Sequence, residues 1–213
     1  MTISNESSFE TLVRGRRSAA KFIPGIEIPD KDIEDMLSLT KFAPSAFNLQ
    51  HAHYLVVKDE QIKLQVYEAA SKQYKVKSAS AVIVVLGNTE AYKDAARINE
   101  GLMHLGILNK QEYDMTVSSV EQFYEQRGDV FKREEAIRNA SLSAMLFMLI
   151  AKDRGWDTCP MIGFDPEALR TALHIPDNYV PALIIALGKE DTASQRPRGY
   201  RKPTREFVSF NSF

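Results

Sequence analysis

Two short segments near the start of the chain carry side chains suited to chemistry rather than to a core. Arg16-Arg17-Ser18 sets two guanidinium groups beside a hydroxyl. Ala43-Pro44-Ser45-Ala46-Phe47-Asn48-Leu49-Gln50 clusters small and amide residues around a proline. A guanidinium forks onto phosphate oxygens through charge-assisted hydrogen bonds, and two of them beside a serine saturate a phosphomonoester. Small and amide residues let backbone and side-chain amides approach a flat polar heterocycle. The pair points to a bound mononucleotide, a flavin foremost. A second basic run, Arg196-Pro197-Arg198-Gly199-Tyr200-Arg201-Lys202-Pro203, is able to close on the same phosphate. From spacing alone, a solvated basic face without a ligand accounts for both clusters equally well.

Other chemistries lack their residues. No Gly-x-Gly-x-x-Gly follows a strand pattern, and neither a Gly-x-x-x-x-Gly-Lys-Ser/Thr loop nor a Gly-x-Ser-x-Gly elbow is present. His51 and His53 lie two apart, which would put both on one side of a strand, but no third ligand stands at metal spacing. They read as polar residues at a strand edge, and no metal is expected. His104 and His174 sit on helical patterns and read as structural. Cys159, the single cysteine, excludes an internal disulfide and fits a reducing compartment; it reads as a small core residue rather than a catalytic thiol.

The elements that must carry these loops follow from periodicity. Phe9, Leu12 and Val13 recur at helical spacing up to Gly15, so a first helix delivers the arginine loop. Asp30 is the expected N-cap of a second helix with Ile33, Met36, Leu37 and Thr40 inside, stopped by Pro44. The Pro44 turn then precedes a strand at Tyr54–Lys58. Ile62, Val66 and Ala69 or Ala70 outline a third helix. Ala81–Leu86 and Ala182–Leu187 are apolar on both faces and belong in the middle of a sheet covered by helices. Asp165-Pro166 starts another helix, with Asp as N-cap and Pro in the first turn. The charged, aromatic stretch from Glu90 to Arg138 reads as exposed helices with a long connection. Few strands and many helices make an α+β domain.

At 213 residues, with 44% hydrophobic and 26% charged residues, the chain suits one domain spanning 1–213. A net charge of −1 argues against broad binding to nucleic acid. Met1 to Glu10 is polar and acidic, unlike a secretory leader. The longest uncharged run, Asn139 to Ala151, is too short to cross a bilayer and reads as a helix buried on most sides. Neither a membrane nor nucleic acid is an expected partner, and the cytoplasm is the expected location. Thr204 to Phe213 is too apolar for a frayed tail and is expected to dock, with a partner subunit one candidate.

Several motifs taken in order resemble the nitroreductase family. They are Arg16-Arg17-Ser18 with Phe22, Ala43-Pro44-Ser45-Ala46 with Asn48 and Gln50, Pro160-Met161-Ile162-Gly163-Phe164-Asp165, and Arg201-x-Pro203. Each is weak alone, but the ordered set covers nearly the whole chain. The resemblance implies a nitroreductase-like α+β fold, a central mixed sheet flanked by helices, in an intertwined homodimer with one FMN in each of two interface clefts. It implies that Arg16 and Ser18, with Arg201 and Arg198, take the FMN phosphate, and that Arg17 lies along the same loop. Pro44, Ser45, Ala46 and Asn48 would reach the flavin from the other subunit. Gln73 would bond the pyrimidine edge, and Ile162 and Gly163 would pack near N5. The 139–151 helix would form the dimer core, and residues 204–213 would wrap the partner.

By the same resemblance, NADH or NADPH donates two electrons and a small electron-poor acceptor, such as a nitroaromatic or quinone, takes them in ping-pong fashion. The flavin N5 carries the chemistry, with no catalytic side chain required. Other flavin chemistry on the same fold, such as reductive dehalogenation, and a non-catalytic flavin-binding module are the alternatives. Three departures stand out. Ala20 occupies a position where many relatives carry a cation near the pyrimidine, with Lys21, Lys75 and Lys77 as substitutes. His51-Ala52 replaces a frequent Pro-Trp. Glu90 to Arg138, which shapes the substrate pocket in the family, matches no motif.

Overall fold

The structure, a computed structural model, describes residues 8–213. Most of the polar start, Met1 to Glu10, lies outside them. Along the chain run α1 (Ser8–Gly15), α2 (Asp30–Thr40), β1 (Ala52–Val57), α3 (Glu60–Ala69), α4 (Tyr74–Ser78) and β2 (Ala81–Asn88). They are followed by α5 (Ala95–His104), α6 (Lys110–Glu125), α7 (Gly128–Asp153), β3 (Asp157–Met161), α8 (Pro166–Leu173) and β4 (Tyr179–Gly188). The strand order is β1-β2-β4-β3, so the two continuous apolar runs take the centre, where both faces are covered. At the middle Ile83 stands opposite Ile185 and Val84 opposite Ile184.

The mixed sheet expected from the resemblance is antiparallel in all three of its pairings. Its parallel component is one isolated bridge, Ser18 with Thr158. Strand β3 went unread because Pro160 interrupts it; as an edge strand it tolerates a residue without an N–H. Alternation divides the central side chains between two cores. Val82, Val84, Leu86 and Ile184 pack with Phe22, Val66 and Leu169 on one face. Ile83, Val85, Ile185 and Leu187 pack with Met36, Ala144 and Phe147 on the other. There α7 lies so close to β2 that a Cβ on Gly87 would sit 2.5 Å from the Ala136 carbonyl oxygen.

Several local readings shift. Pro29, not Asp30, occupies the N-cap of α2, and the Asp30 carboxylate pairs with Lys58 at 2.5 Å. In α3 the inward position taken for Ile62 belongs to Lys63, whose ammonium donates to Ala79 O at 3.1 Å and pairs with Glu60 at 2.6 Å. The 90–138 stretch is helical as expected but not simply exposed. Tyr92, Val120 and Tyr124 build a third core with Leu49 and Ala95, and the rings of Tyr92 and Tyr124 stack at 5.3 Å. Asn139–Ala151 forms the second half of α7 and is buried along one face, leaving Leu142 and Met145 exposed. The tail 204–213 is exposed throughout, including Phe207, Phe210 and Phe213. Among the described residues no helix is long and apolar enough to cross a membrane.

Candidate functional site

The arginine loop is held by the backbone on both sides. Helix α1 ends as Arg16 N donates to Leu12 O at 2.8 Å. Ser18 then bridges to Thr158 of β3, and Ala19 N donates to Thr158 O at 3.0 Å. Buried Phe22 anchors the far end, and Ile23 N donates to Lys189 O at 2.9 Å. The basic run near the end of the chain folds back over this loop. Arg17 donates to the Arg196 carbonyl, and Arg198 donates to the Arg14 carbonyl and, at 3.5 Å, to that of Arg16.

A cleft of about 460 Å³ opens between the two segments, lined by Arg16, Arg17, Lys21, Lys75, Arg196, Arg198 and Arg201, together with Ser18 and Ala20. The carboxylate on its wall, Glu190, already accepts from Ala20 N at 3.0 Å and from Gln195 Nε2 at 2.9 Å. Arg16 Nη1 is buried without a hydrogen-bond partner. Burial lowers the pKa of the Arg16 guanidinium, and the positive charges of Arg198 and Arg201 lower it further. Cations crowded in this way repel one another, and an orphaned buried N–H costs about 1–3 kcal/mol. An anion with several acceptor oxygens relieves both strains, and a phosphate is such a group.

Next to the cleft, α4 joins a second group of site residues. Gln73, at its N-cap, donates from Nε2 to Gly163 O at 2.8 Å. The Ile162-Gly163 corner is set by the start of α8, where the Asp165 carboxylate accepts from Glu167 N and Ala168 N, and Asp165 N donates to Ala69 O. Ile162 is 82% exposed beside it. One turn into α4, Lys75 donates from Nζ to the buried Sγ of Cys159 at 3.3 Å and lines the basic cleft. Lys77 does not line it; of the three substitutes for a cation at Ala20, Lys21 and Lys75 reach the cleft.

The Pro44 turn lies elsewhere in the protomer. Phe47, Asn48 and Gln50 all have positive φ, at 51°, 56° and 51°, a strained run for residues with a Cβ. Ala46 N donates to Asn139 Oδ1 at 2.8 Å, which ties the turn to α7, and Gln50 N donates to Ser45 Oγ at 3.0 Å within the turn itself. Pro44 and Ser45 line a different cavity, of about 330 Å³, between α2, β1 and α7. The expected site residues therefore form two sets in one protomer. Arg16, Arg17, Ser18, Arg198 and Arg201 meet in one place, with Gln73, Ile162 and Gly163 joined to them through α4. Pro44, Ser45, Ala46 and Asn48 sit on the other cavity's side.

His51 is not a strand-edge residue. It is buried, Nε2 lies 3.3 Å from the Tyr124 hydroxyl, and burial pushes its pKa down to about 4. His53 is exposed against the Tyr179 ring. No metal-ligating group forms among the described residues. Sequence reasoning missed Glu190, the Lys75–Cys159 pair and the Asn139 anchor. Each joins residues far apart in the chain, and none has a spacing signature.

The family model described as "Nitroreductase family" matches residues 13–189. The chain is 56% identical over 204 residues to the "Putative NAD(P)H nitroreductase MhqN" of Bacillus subtilis (strain 168), covering 96% of this chain and 99% of that protein. A crystal structure of a "putative nitroreductase ydfN" from Bacillus subtilis superposes with a TM-score of 0.93 at 56% identity, over 95% of this chain and 98% of the other. A "putative nitroreductase in complex with FMN" from Exiguobacterium sibiricum 255-15 superposes with a TM-score of 0.87 at 25% identity, over 96% and 98%.

Proposed function

From the chain's membership of the nitroreductase family, shown by the family match and by 56% identity to a relative covered almost end to end, we propose that it is an NAD(P)H-dependent FMN oxidoreductase acting on small electron-poor acceptors. The observation that carries the cofactor reading is the cleft itself. Its arginines have few carboxylate counterparts, Arg16 Nη1 lacks a partner, and Ser18 stands among them. A flavin phosphate supplies what these groups lack. When bound, FMN supplies the two-electron transfer between NADH or NADPH and the acceptor.

The chain's own residues bind and orient. Arg16, Ser18 and Arg201 hold the phosphate, while Arg17 and Arg198 strap the terminal segment over the loop through the Arg196, Arg14 and Arg16 carbonyls. Gln73 and the Gly163 backbone present amide groups to the polar edge of the ring system, and Ile162 offers an apolar face. Lys21 and Lys75 supply positive charge toward a reduced, anionic flavin, the role that Ala20 leaves open. Donor and acceptor then use one face in turn, which is ping-pong behaviour, and no side-chain acid or base is needed for hydride transfer.

The site is completed by a second copy of the chain. Two features support this: the Pro44 turn lies on a different cavity from the arginines, and Leu142 and Met145 on α7 are exposed together with the apolar tail. A cytoplasmic setting agrees with the free thiol of Cys159. Purified protein tests the proposal. A yellow dimer bleached by NADH or NADPH and recoloured by a nitroaromatic or quinone is expected. A yellow protein that never bleaches indicates a flavin-binding module without turnover; a colourless one that cannot be loaded with FMN refutes the flavin site.

A further inference from the structure

We propose that Cys159 is a positioning residue whose thiol holds the Lys75 ammonium in the basic cleft, so that this lysine replaces the cation missing at Ala20. The inference rests on the FMN reading above. Cys159 is 3% exposed on β3, and its Sγ accepts from Lys75 Nζ at 3.3 Å. Thr158, the preceding residue, bridges Ser18 and accepts from Ala19 N. Consecutive residues of one strand thus hold the phosphate loop and the lysine, and set the spacing between the two charges.

Without that anchor nothing prescribes where the ammonium rests. Lys75 projects from the five-residue helix α4 on a flexible four-carbon stem. The carboxylate of Glu190, which shares the cleft, is already bonded to Ala20 N and Gln195 Nε2. Repulsion from Arg16, Arg198 and Arg201 favours rotamers that carry the ammonium out to water. The buried thiol is a soft acceptor that offsets this pull with little desolvation cost of its own. Lys21, the other candidate, is exposed and has no such anchor.

The test is a double-mutant cycle on FMN-loaded protein, read as the midpoint potential of the bound flavin and as FMN affinity. Lys75→Met is expected to lower the ratio of reduced- to oxidised-flavin affinity about 10-fold, the order expected for one charge across a partly solvated cleft. For a two-electron couple that is a potential more negative by about 30 mV. Cys159→Ala is expected to reproduce at least half of that shift. Cys159→Ser, which keeps an acceptor, should restore most of it, and the double variant should match Lys75→Met alone. A normal potential in a folded, yellow Cys159→Ala protein overturns the positioning role, as does additivity of the two substitutions. Wild-type protein that cannot be loaded with FMN overturns the flavin reading and the proposal with it.

Discussion

Replacing Arg16 by Met should move stability and cofactor binding in opposite directions. In the protein without ligand, this guanidinium is half-buried, leaves Nη1 unpartnered and faces the charges of Arg198 and Arg201. Relieving an unsatisfied buried donor is worth about 1–3 kcal/mol, and partial exposure reduces that to about 1 kcal/mol here. Met keeps the apolar stem that packs in the loop. The unliganded variant should therefore be more stable by about 1 kcal/mol, or roughly 2–4 °C in Tm for a chain of this size. FMN affinity should fall, because a charge-assisted contact worth about 1.5–3 kcal/mol is lost, which is about 10- to 150-fold in Kd. Thermal melts of the apo-protein and flavin titration by fluorescence quenching read the two effects separately. A variant that is less stable without ligand and binds FMN as tightly as wild type would refute the view that Arg16 is held strained for an anion.

Three further outcomes follow from the packing. Gly87→Ala places a methyl group 2.5 Å from the Ala136 carbonyl oxygen, backbone that cannot swing aside, so α7 must shift; a loss of about 1–3 kcal/mol in a denaturant melt is expected. His51 is neutral when folded, with its pKa near 4 against 6.5 for an unperturbed histidine, so the unfolded chain binds the proton first. Its contribution is unchanged above pH 6.5 and is lost as pH falls toward 4, by up to about 3 kcal/mol; a His51→Gln variant should show a correspondingly flatter stability profile between pH 7 and 4.5. Leu142→Glu puts a charge on the exposed stripe of α7 and should yield a monomer in sedimentation that also loses FMN. A flavin-loaded monomer would sink the shared site.

Much of the scaffold is written in local patterns. The two fully apolar runs read as central strands because each is short and followed by a glycine, Gly87 or Gly188, and a covered sheet buries both faces of such a run. Asp165-Pro166 had to start a helix, and Asp165 caps α8 with bonds to Glu167 N and Ala168 N. Strand β3 escaped because Pro160 contradicts ordinary strand propensity and only an edge position excuses it. Lys63 escaped because a charged residue on the inner face violates the periodicity rule, and only the Ala79 carbonyl and Glu60 make its burial affordable.

The site divides along the same line. Residue type alone marked Arg16, Arg17, Ser18, Arg198 and Arg201 as phosphate chemistry, because a guanidinium's fork is the same in any fold. That these arginines share one cleft, that Arg16 is short of a partner, and that the Pro44 turn lies on another cavity were decided by the tertiary structure. Such facts depend on distances between residues up to 185 positions apart in sequence, from Arg16 to Arg201. Composition and spacing carry no term for that separation. Tertiary bonds do: the Ser18–Thr158 bridge sets the loop beside the lysine anchor on β3, and the Arg17 and Arg198 bonds to the Arg196 and Arg14 carbonyls bring the terminal arginines to the same opening.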